Sequence, residues 1–183
     1  MEWIIPGTVI SGPREDVESS IRQIQGMFLA GGILRSQVSS LTGLEAHMIQ
    51  NWVKRGFLSN PINKHYSCRQ FCRICIINML KTAMPLEKIC ELLSYVNGRL
   101  DDESDDLIDD TVLYFMFIRL ASRARHIGGT QSWDEALEQI LADYQEPAPG
   151  ARQRIDKVLR IMLTYWIAVR TAQQAEQMMA QLN

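Results

Sequence analysis

The chain has 183 residues, 46% of them apolar and 22% charged, with a formal net charge of −2 and a pI near 5.9. That apolar share excludes a disordered chain, and the length is enough for one good core or two small ones. No opening segment has the basic, apolar and small-residue order of a signal peptide, and the apolar runs 112–120 and 161–169 fall far short of the ~20 residues a membrane helix needs. The expectation is a cytoplasmic globular protein, in which four cysteines do not imply disulfides.

In chain order, Gly12 and Pro13 open a helix with Val17, Ile21, Ile24 and Phe28 at helical spacing, which ends at Gly31 and Gly32. Residues 1–30 are therefore an N-terminal arm and helix. Leu34, Val38 and Leu41 then share one face of a short helix that stops at Gly43, where a sharp turn needs a positive φ. A second helix starts near Glu45 and stops at Gly56. Ile49, Trp52 and Val53 face inward on it, leaving His47, Gln50, Asn51, Lys54 and Arg55 outward. Two short helices around a glycine-containing turn outline a helix-turn-helix. Asn60, Pro61 and Asn63 are turn signals between two short extended pieces, so residues 57–66 predict a small β-hairpin, or wing. Ser67 can cap a third helix through about Ala83, and Pro85 opens a fourth that ends at Asn97 and Gly98.

These residues carry a resemblance. A helix, a turn through Thr42, Gly43 and Leu44, and a second helix ending Arg55, Gly56, Phe57, Leu58 are followed by a proline-bearing wing. A helix entered through Tyr66 and Ser67 comes next, and then one beginning Pro85, Leu86, Glu87, Lys88, Ile89. The order resembles the winged-helix head of MerR-type bacterial regulators, and the run from Met48 to Gly56 is most similar to the uncharacterised bacterial eighteen-thirty-six domain-of-unknown-function family. The resemblance implies that residues 31–98 are a winged helix-turn-helix DNA-binding domain. It implies that the second helix enters the major groove while the wing, through Asn63, Lys64, His65 and Tyr66, braces on the flanking backbone. Gln50 and Asn51-Trp52 stand where MerR regulators usually carry arginine and two tyrosines, and Lys64 stands where their wing usually has arginine.

Charge supports the same segment independently. Between residues 31 and 99 there are nine basic side chains and three acidic ones, a net +6 inside a chain of net −2. Residues 99–110 read as a solvated acidic linker and helix start, because Asp101, Asp102, Glu103, Asp105, Asp106, Asp109 and Asp110 crowd together. Residues 111–183 read as an all-helical C-terminal module for dimerisation or effector binding. A long apolar helix runs to about His126, with Gly128 and Gly129 as its stop. Ser132 with Glu135 has capping-box spacing for the next, and a last helix spans about residues 151–179. Its stripe of Ile155, Leu159, Met162, Trp166 and Val169 can close a bundle or pair with a partner chain.

Three constellations suggest other chemistry. Cys68, Cys72 and Cys75 match the cluster-binding spacing of radical S-adenosylmethionine enzymes, but they fall on a predicted helix in a chain too short and too helical for the barrel those enzymes use. Packing in the core is the better account, with a metal or redox site behind it. The acidic run fails as a calcium loop, having Asp106 at the sixth position where glycine is needed and Val112 at the twelfth where glutamate is needed. Tyr114, Phe115, Phe117, Trp133, Tyr144, Tyr165 and Trp166 could line an effector pocket, although aromatics at helical spacing usually build cores. His47, His65 and His126 form no ligand pair, and neither a nucleophile elbow nor a phosphate loop is present.

The sequence therefore predicts a mainly α protein, a winged helix-turn-helix followed by a helical module. It reads as a non-enzymatic, cofactor-free, homodimeric transcriptional regulator that binds double-stranded DNA and answers to an unknown small-molecule effector. Gln50 and Asn51 carry amides suited to the N6/N7 edge of adenine, while Lys54, Arg55, Lys64 and Arg69 suit phosphates. The rival reading is a non-catalytic protein-interaction module on the same scaffold, and a metal or iron–sulfur protein built on the three cysteines comes third.

Overall fold

The computed structural model describes residues 2–99, 105–124 and 130–182. Two short antiparallel strands, β1 (Glu2–Ile4) and β2 (Ser11–Pro13), open the chain with Trp3 opposite Gly12. Helix α1 (Val17–Gly26) follows, capped by the Asp16 carboxylate on the Ser19 amide at 3.0 Å. Strand β3 (Ile33–Leu34) leads directly into α2 (Arg35–Thr42), and α3 (Ala46–Lys54) comes after one turn. Strand β4 (His65–Tyr66) returns to pair antiparallel with β3, setting Ile33 opposite Tyr66 and Leu34 opposite His65. Helices α4 (Cys68–Leu80), α5 (Leu86–Asn97), α6 (Asp110–Arg123), α7 (Thr130–Ile140) and α8 (Ala151–Ala180) complete a mainly helical fold.

Helix α4 is the centre of the molecule. It starts with a capping box, Ser67 Oγ accepting from the Gln70 amide at 3.2 Å and Gln70 Oε1 from the Ser67 amide at 2.9 Å. Every residue from Gln70 to Ile77 is buried, because α2, α5, α6 and α8 all pack against it. Phe71, Ile74, Ile76 and Leu80 join Ile21 and Ile24 of α1, Ile49 and Trp52 of α3, Leu113 and Phe117 of α6, and Leu159 and Met162 of α8 in one continuous core. Residues 31–98 and the helices behind them thus share one set of packed side chains.

The β1–β2 hairpin was not legible as such, since Gly12 and Pro13 read as a helix start. Its buried Trp3 and Ile5 explain it. Trp3 meets Trp166 edge-on at 6.3 Å, and the hairpin loop lies against α4 so closely that a Cβ on Gly7 would come within 2.1 Å of the Cys75 carbonyl. Tyr114 donates to the Pro6 carbonyl at 2.7 Å, and the Asn78 amide spans the Gly7 and Thr42 carbonyls at 3.0 and 2.9 Å. Arg14 reaches the end of α6 and donates to the carbonyls of Ala121, Ser122 and Ala124.

Two further expectations change. Helix α7 spans Thr130–Ile140, so Ser132, expected just before it, lies inside its first turn. Helix α6 ends at Arg123, and the expected stop at Gly128 and Gly129, with His126, lies outside the described residues. The stripe Ile155, Leu159, Met162 and Trp166 closes the bundle and is buried there, with Val169 at its edge. No helix among the described residues is long and apolar enough to cross a membrane.

Candidate nucleic-acid interface

The turn between α2 and α3 is fixed from three sides. Gly43 takes φ +71° and donates its N–H to the Ser39 carbonyl at 2.8 Å. Leu44 is buried beneath it, and Thr42 Oγ1 donates to the Val38 carbonyl while accepting from the Leu44 amide. Asn78 of α4 then holds the Thr42 carbonyl from below. On α3 that anchoring buries Ile49 and Trp52, half-buries Met48 and Val53, and leaves His47, Gln50, Asn51 and Lys54 exposed. Gln50, Asn51 and Lys54 have no side-chain partner among the described residues, while His47 Nδ1 stands 3.8 Å from Glu45.

After α3, Gly56 at φ +75° reverses the chain and Leu58 is driven into the core. The Gln70 amide donates to Ser59 and to the Asn60 carbonyl, which holds this segment against the start of α4. Ile62 and His65 exchange both backbone hydrogen bonds, at 3.1 and 2.8 Å. Between them Asn63 and Lys64 both take positive φ, +49° and +66°, the mirror-image two-residue turn that suits the twist of paired strands. His65 Nδ1 lies 2.8 Å from the Asn63 carbonyl, and the tip of Ile62, Asn63, Lys64 and His65 is exposed.

Three of the ten expected contact residues stand differently. Tyr66 is 3% exposed, packed into the core on β4, and burial raises its phenol above the usual range. Strand alternation explains the difference, because His65 and Tyr66 must face opposite ways and only one can reach solvent. Arg69 points away from the head into the acidic segment, where Asp106, Asp109 and Asp110 surround it. Arg55 is at the surface but engaged, 2.5 Å from the Glu87 carboxylate, with its guanidinium 4.6 Å from the centre of the Phe57 ring. The other seven, His47, Gln50, Asn51, Lys54, Asn63, Lys64 and His65, are exposed on α3 and the hairpin tip.

Asp101, Asp102 and Glu103 of the acidic segment lie outside the described residues, and in its described part Asp105 is exposed while two carboxylates are turned inward. Asp106 and Asp110 are almost sealed from water, at 7% and 1% side-chain exposure. Asp109 caps α6 through the Thr111 amide at 2.7 Å. Arg73, another of the head's nine bases, is buried 2.7 Å from Asp110, and Lys88 pairs with Glu91. Four of the nine bases, Arg55, Arg69, Arg73 and Lys88, are therefore answered by carboxylates of the chain, and Arg35, Lys54, Lys64 and Lys81 carry no ion pair among the described residues.

The cysteines lie on α4. Cys72 and Cys75 are buried in the core, where burial pushes both thiols up, and Cys75 sits beside the Tyr114 hydroxyl. Cys68, in the first turn and half-buried, is held below the usual thiol range by its hydrogen bond with Cys72. Tyr114, Phe115, Phe117 and Trp166 are core residues too.

Residues 31–117 match the family model described as Domain of unknown function (DUF1836), a little under half of the chain. The chain is also 31% identical over 109 residues to the Uncharacterized protein YkrK of Bacillus subtilis (strain 168), a match covering 57% of this chain and 46% of that protein. It thus spans about half the length of the curated relative it matches. No solved structure matches. Over the segment that builds α2, α3, the hairpin, α4, α5 and the first half of α6, the chain is similar to the Domain of unknown function (DUF1836) family.

Proposed function

We propose that the protein is a sequence-specific double-stranded-DNA-binding regulator whose head is a MerR-like winged helix-turn-helix, acting as a homodimer on paired half-sites. The observation that carries this reading is the outer face of α3. Gln50, Asn51 and Lys54 stand exposed and uncommitted on a helix whose other face is locked into the core. An exposed helix with two adjacent amides beside a lysine suits a groove edge, where the amides read adenine and the cation meets phosphate. The hairpin tip, with Asn63, Lys64 and His65, would brace on the flanking backbone, with His47 at the start of α3 near the same strand. Arg55 would join the phosphate contacts by leaving Glu87, whereas Tyr66 and Arg69 serve the fold.

One observation favours the rival reading of a protein-docking head: Arg55, Arg69, Arg73 and Lys88 are all answered by carboxylates of the same chain. The two readings part on salt. Binding of the purified protein to mixed-sequence duplex DNA should weaken linearly in the logarithm of salt concentration, with a slope set by the phosphates it neutralises. A docking module should bind duplex DNA at no salt concentration.

A further inference from the structure

A groove of about 580 Å³ lies along the outer face of α6, with the end of α7 as its other wall. That volume is in the range of small-molecule sites. Val112, Met116, Arg119 and Arg123 follow one another at steps of four, three and four, so one face of α6 supplies a whole side. Ile140, at the end of α7, and Tyr144 beyond it line the other. Val112 is 44% exposed and Ile140 half-buried, which gives the groove an apolar floor that water still reaches. Its walls are held in place. Arg119 donates twice to the Glu18 carboxylate, at 2.6 and 2.9 Å, and the Tyr144 hydroxyl donates to the Leu107 carbonyl at 2.6 Å. Two charges on the groove are left over. Arg123 donates one N–H to the Gln139 side chain at 2.9 Å and has no carboxylate partner among the described residues. Asp143 has no cationic partner among them, and the two do not bridge each other although both line the groove.

We infer that this groove binds a short apolar peptide of two or three residues with free ends. Its α-carboxylate meets Arg123, its α-ammonium meets Asp143, and its aliphatic side chains lie on Val112, Met116 and Ile140. The guanidinium fork suits a carboxylate, and each charge of the groove gains the partner it lacks. Other ligand classes fit less well. A fatty acid would leave Asp143 beside an apolar chain with no counter-ion. A nucleotide would bring several negative charges against both Glu18 and Asp143. Size separates a peptide from a single amino acid. The face of α6 from Val112 to Arg123 is roughly 16 Å long at about 1.5 Å per residue. Two or three extended residues span roughly 7–10 Å of it, whereas one amino acid offers a single side chain to that floor.

The inference is independent of the DNA reading, and its test uses no DNA, so each can fail alone. Calorimetric titration of the full chain with leucyl-leucine should give saturable one-to-one binding with a Kd below about 1 mM. N-acetyl-leucyl-leucine lacks the ammonium and leucyl-leucinamide lacks the carboxylate, and each should bind at least about tenfold more weakly. Arg123→Gln should abolish the preference over the amide while keeping that over the acetylated peptide, and Asp143→Asn should do the reverse. Both side chains are exposed, so the thermal midpoint of each variant without peptide should match wild type. Absence of saturable binding, or equal binding of all three peptides by wild type, overturns the site. Free leucine binding as tightly as leucyl-leucine overturns the peptide class. Variants that keep both preferences overturn the assignment of the two ends.

Discussion

Arg73 and Asp110 face each other in the interior, guanidinium to carboxylate at 2.7 Å, with both side chains nearly sealed from water. The Asn97 amide donates to the second carboxylate oxygen at 3.1 Å, and Arg69 closes the group from the solvent side. This cluster fastens α4 of the head to the start of α6. Burial raises the Asp110 carboxyl above the usual range, and Arg73 opposes that shift. Replacing Arg73 with Met removes the nearest counter-ion of a buried carboxylate, leaving it Arg69 at 3.4 Å and the Asn97 amide, and should cost up to about 3–5 kcal/mol in urea unfolding at neutral pH. The sign of its pH dependence follows. A raised native pKa means the native state keeps a proton the unfolded state has lost, so stability falls as pH rises from the ordinary carboxylate range to the raised native one. Without Arg73 that window extends further upward. The deficit of Arg73→Met against wild type should therefore be greatest at neutral pH and shrink in acid. A deficit that grows in acid would contradict the pairing.

The pieces of the fold that were legible are those decided within a few residues. Ser67, Gly43, Gly56 and Pro85 each fix a helix end through local geometry, and each helix end falls beside them. The outward face of α3 was legible for the same reason. What the sequence hid is long-range. Asp106 and Asp110 look solvated until Arg69 and Arg73, about 40 positions earlier, are brought beside them. A signal was present, since Arg73 stands between Phe71, Cys72, Ile74 and Cys75 in an otherwise apolar run of α4 and so calls for a buried counter-ion. The hairpin of β1 and β2 gave no such signal, because Trp3 and Ile5 are buried by α4 and α8 and not by any local pattern.

Glu87 competes with DNA for Arg55 if α3 meets the duplex. Glu87→Gln should free the guanidinium, tighten binding to all sequences alike and steepen the salt slope by about one phosphate contact. Electrophoretic or anisotropy titrations at several salt concentrations measure both quantities. Unchanged affinity and slope would mean that Arg55 stays on Phe57 and does not face phosphate.

The hairpin turn offers a separation of fold from binding. Lys64 sits in the left-handed region at φ +66°, a conformation that costs a side-chain-bearing residue roughly 1–2 kcal/mol and glycine almost nothing. Lys64→Gly should therefore raise stability by up to about 1 kcal/mol while weakening DNA binding by the loss of its charge. Stability and affinity moving in the same direction would contradict this account.

Thiol reactivity should rank with the environment of each cysteine. Cys68 is half-buried and held low, Cys90 is pushed up to about 11 by burial, and burial in the core raises Cys72 and Cys75. Since the thiolate is the nucleophile, iodoacetamide at neutral pH should label Cys68 first in the native protein and leave Cys72 and Cys75 unmodified until unfolding. Peptide mapping against time checks the order.

If α3 meets the duplex, its exposed side chains should divide into two roles. Lys54 and Lys64 offer charge without direction, so Lys54→Ala and Lys64→Ala should weaken binding to every duplex and each flatten the salt slope by about one unit. Gln50 and Asn51 offer paired donors and acceptors, so Gln50→Ala or Asn51→Ala should relax preference at one or two base pairs, by roughly 1–3 kcal/mol against the favoured site, and leave the slope alone. Trp52 is 3% exposed beneath the same helix, and Trp52→Ala should act on the fold, lowering stability by about 3–5 kcal/mol. Selection of binding sites from a random duplex pool, repeated for each variant, separates these outcomes. If both lysine variants bind like wild type at low salt, α3 does not meet DNA and the docking reading takes its place.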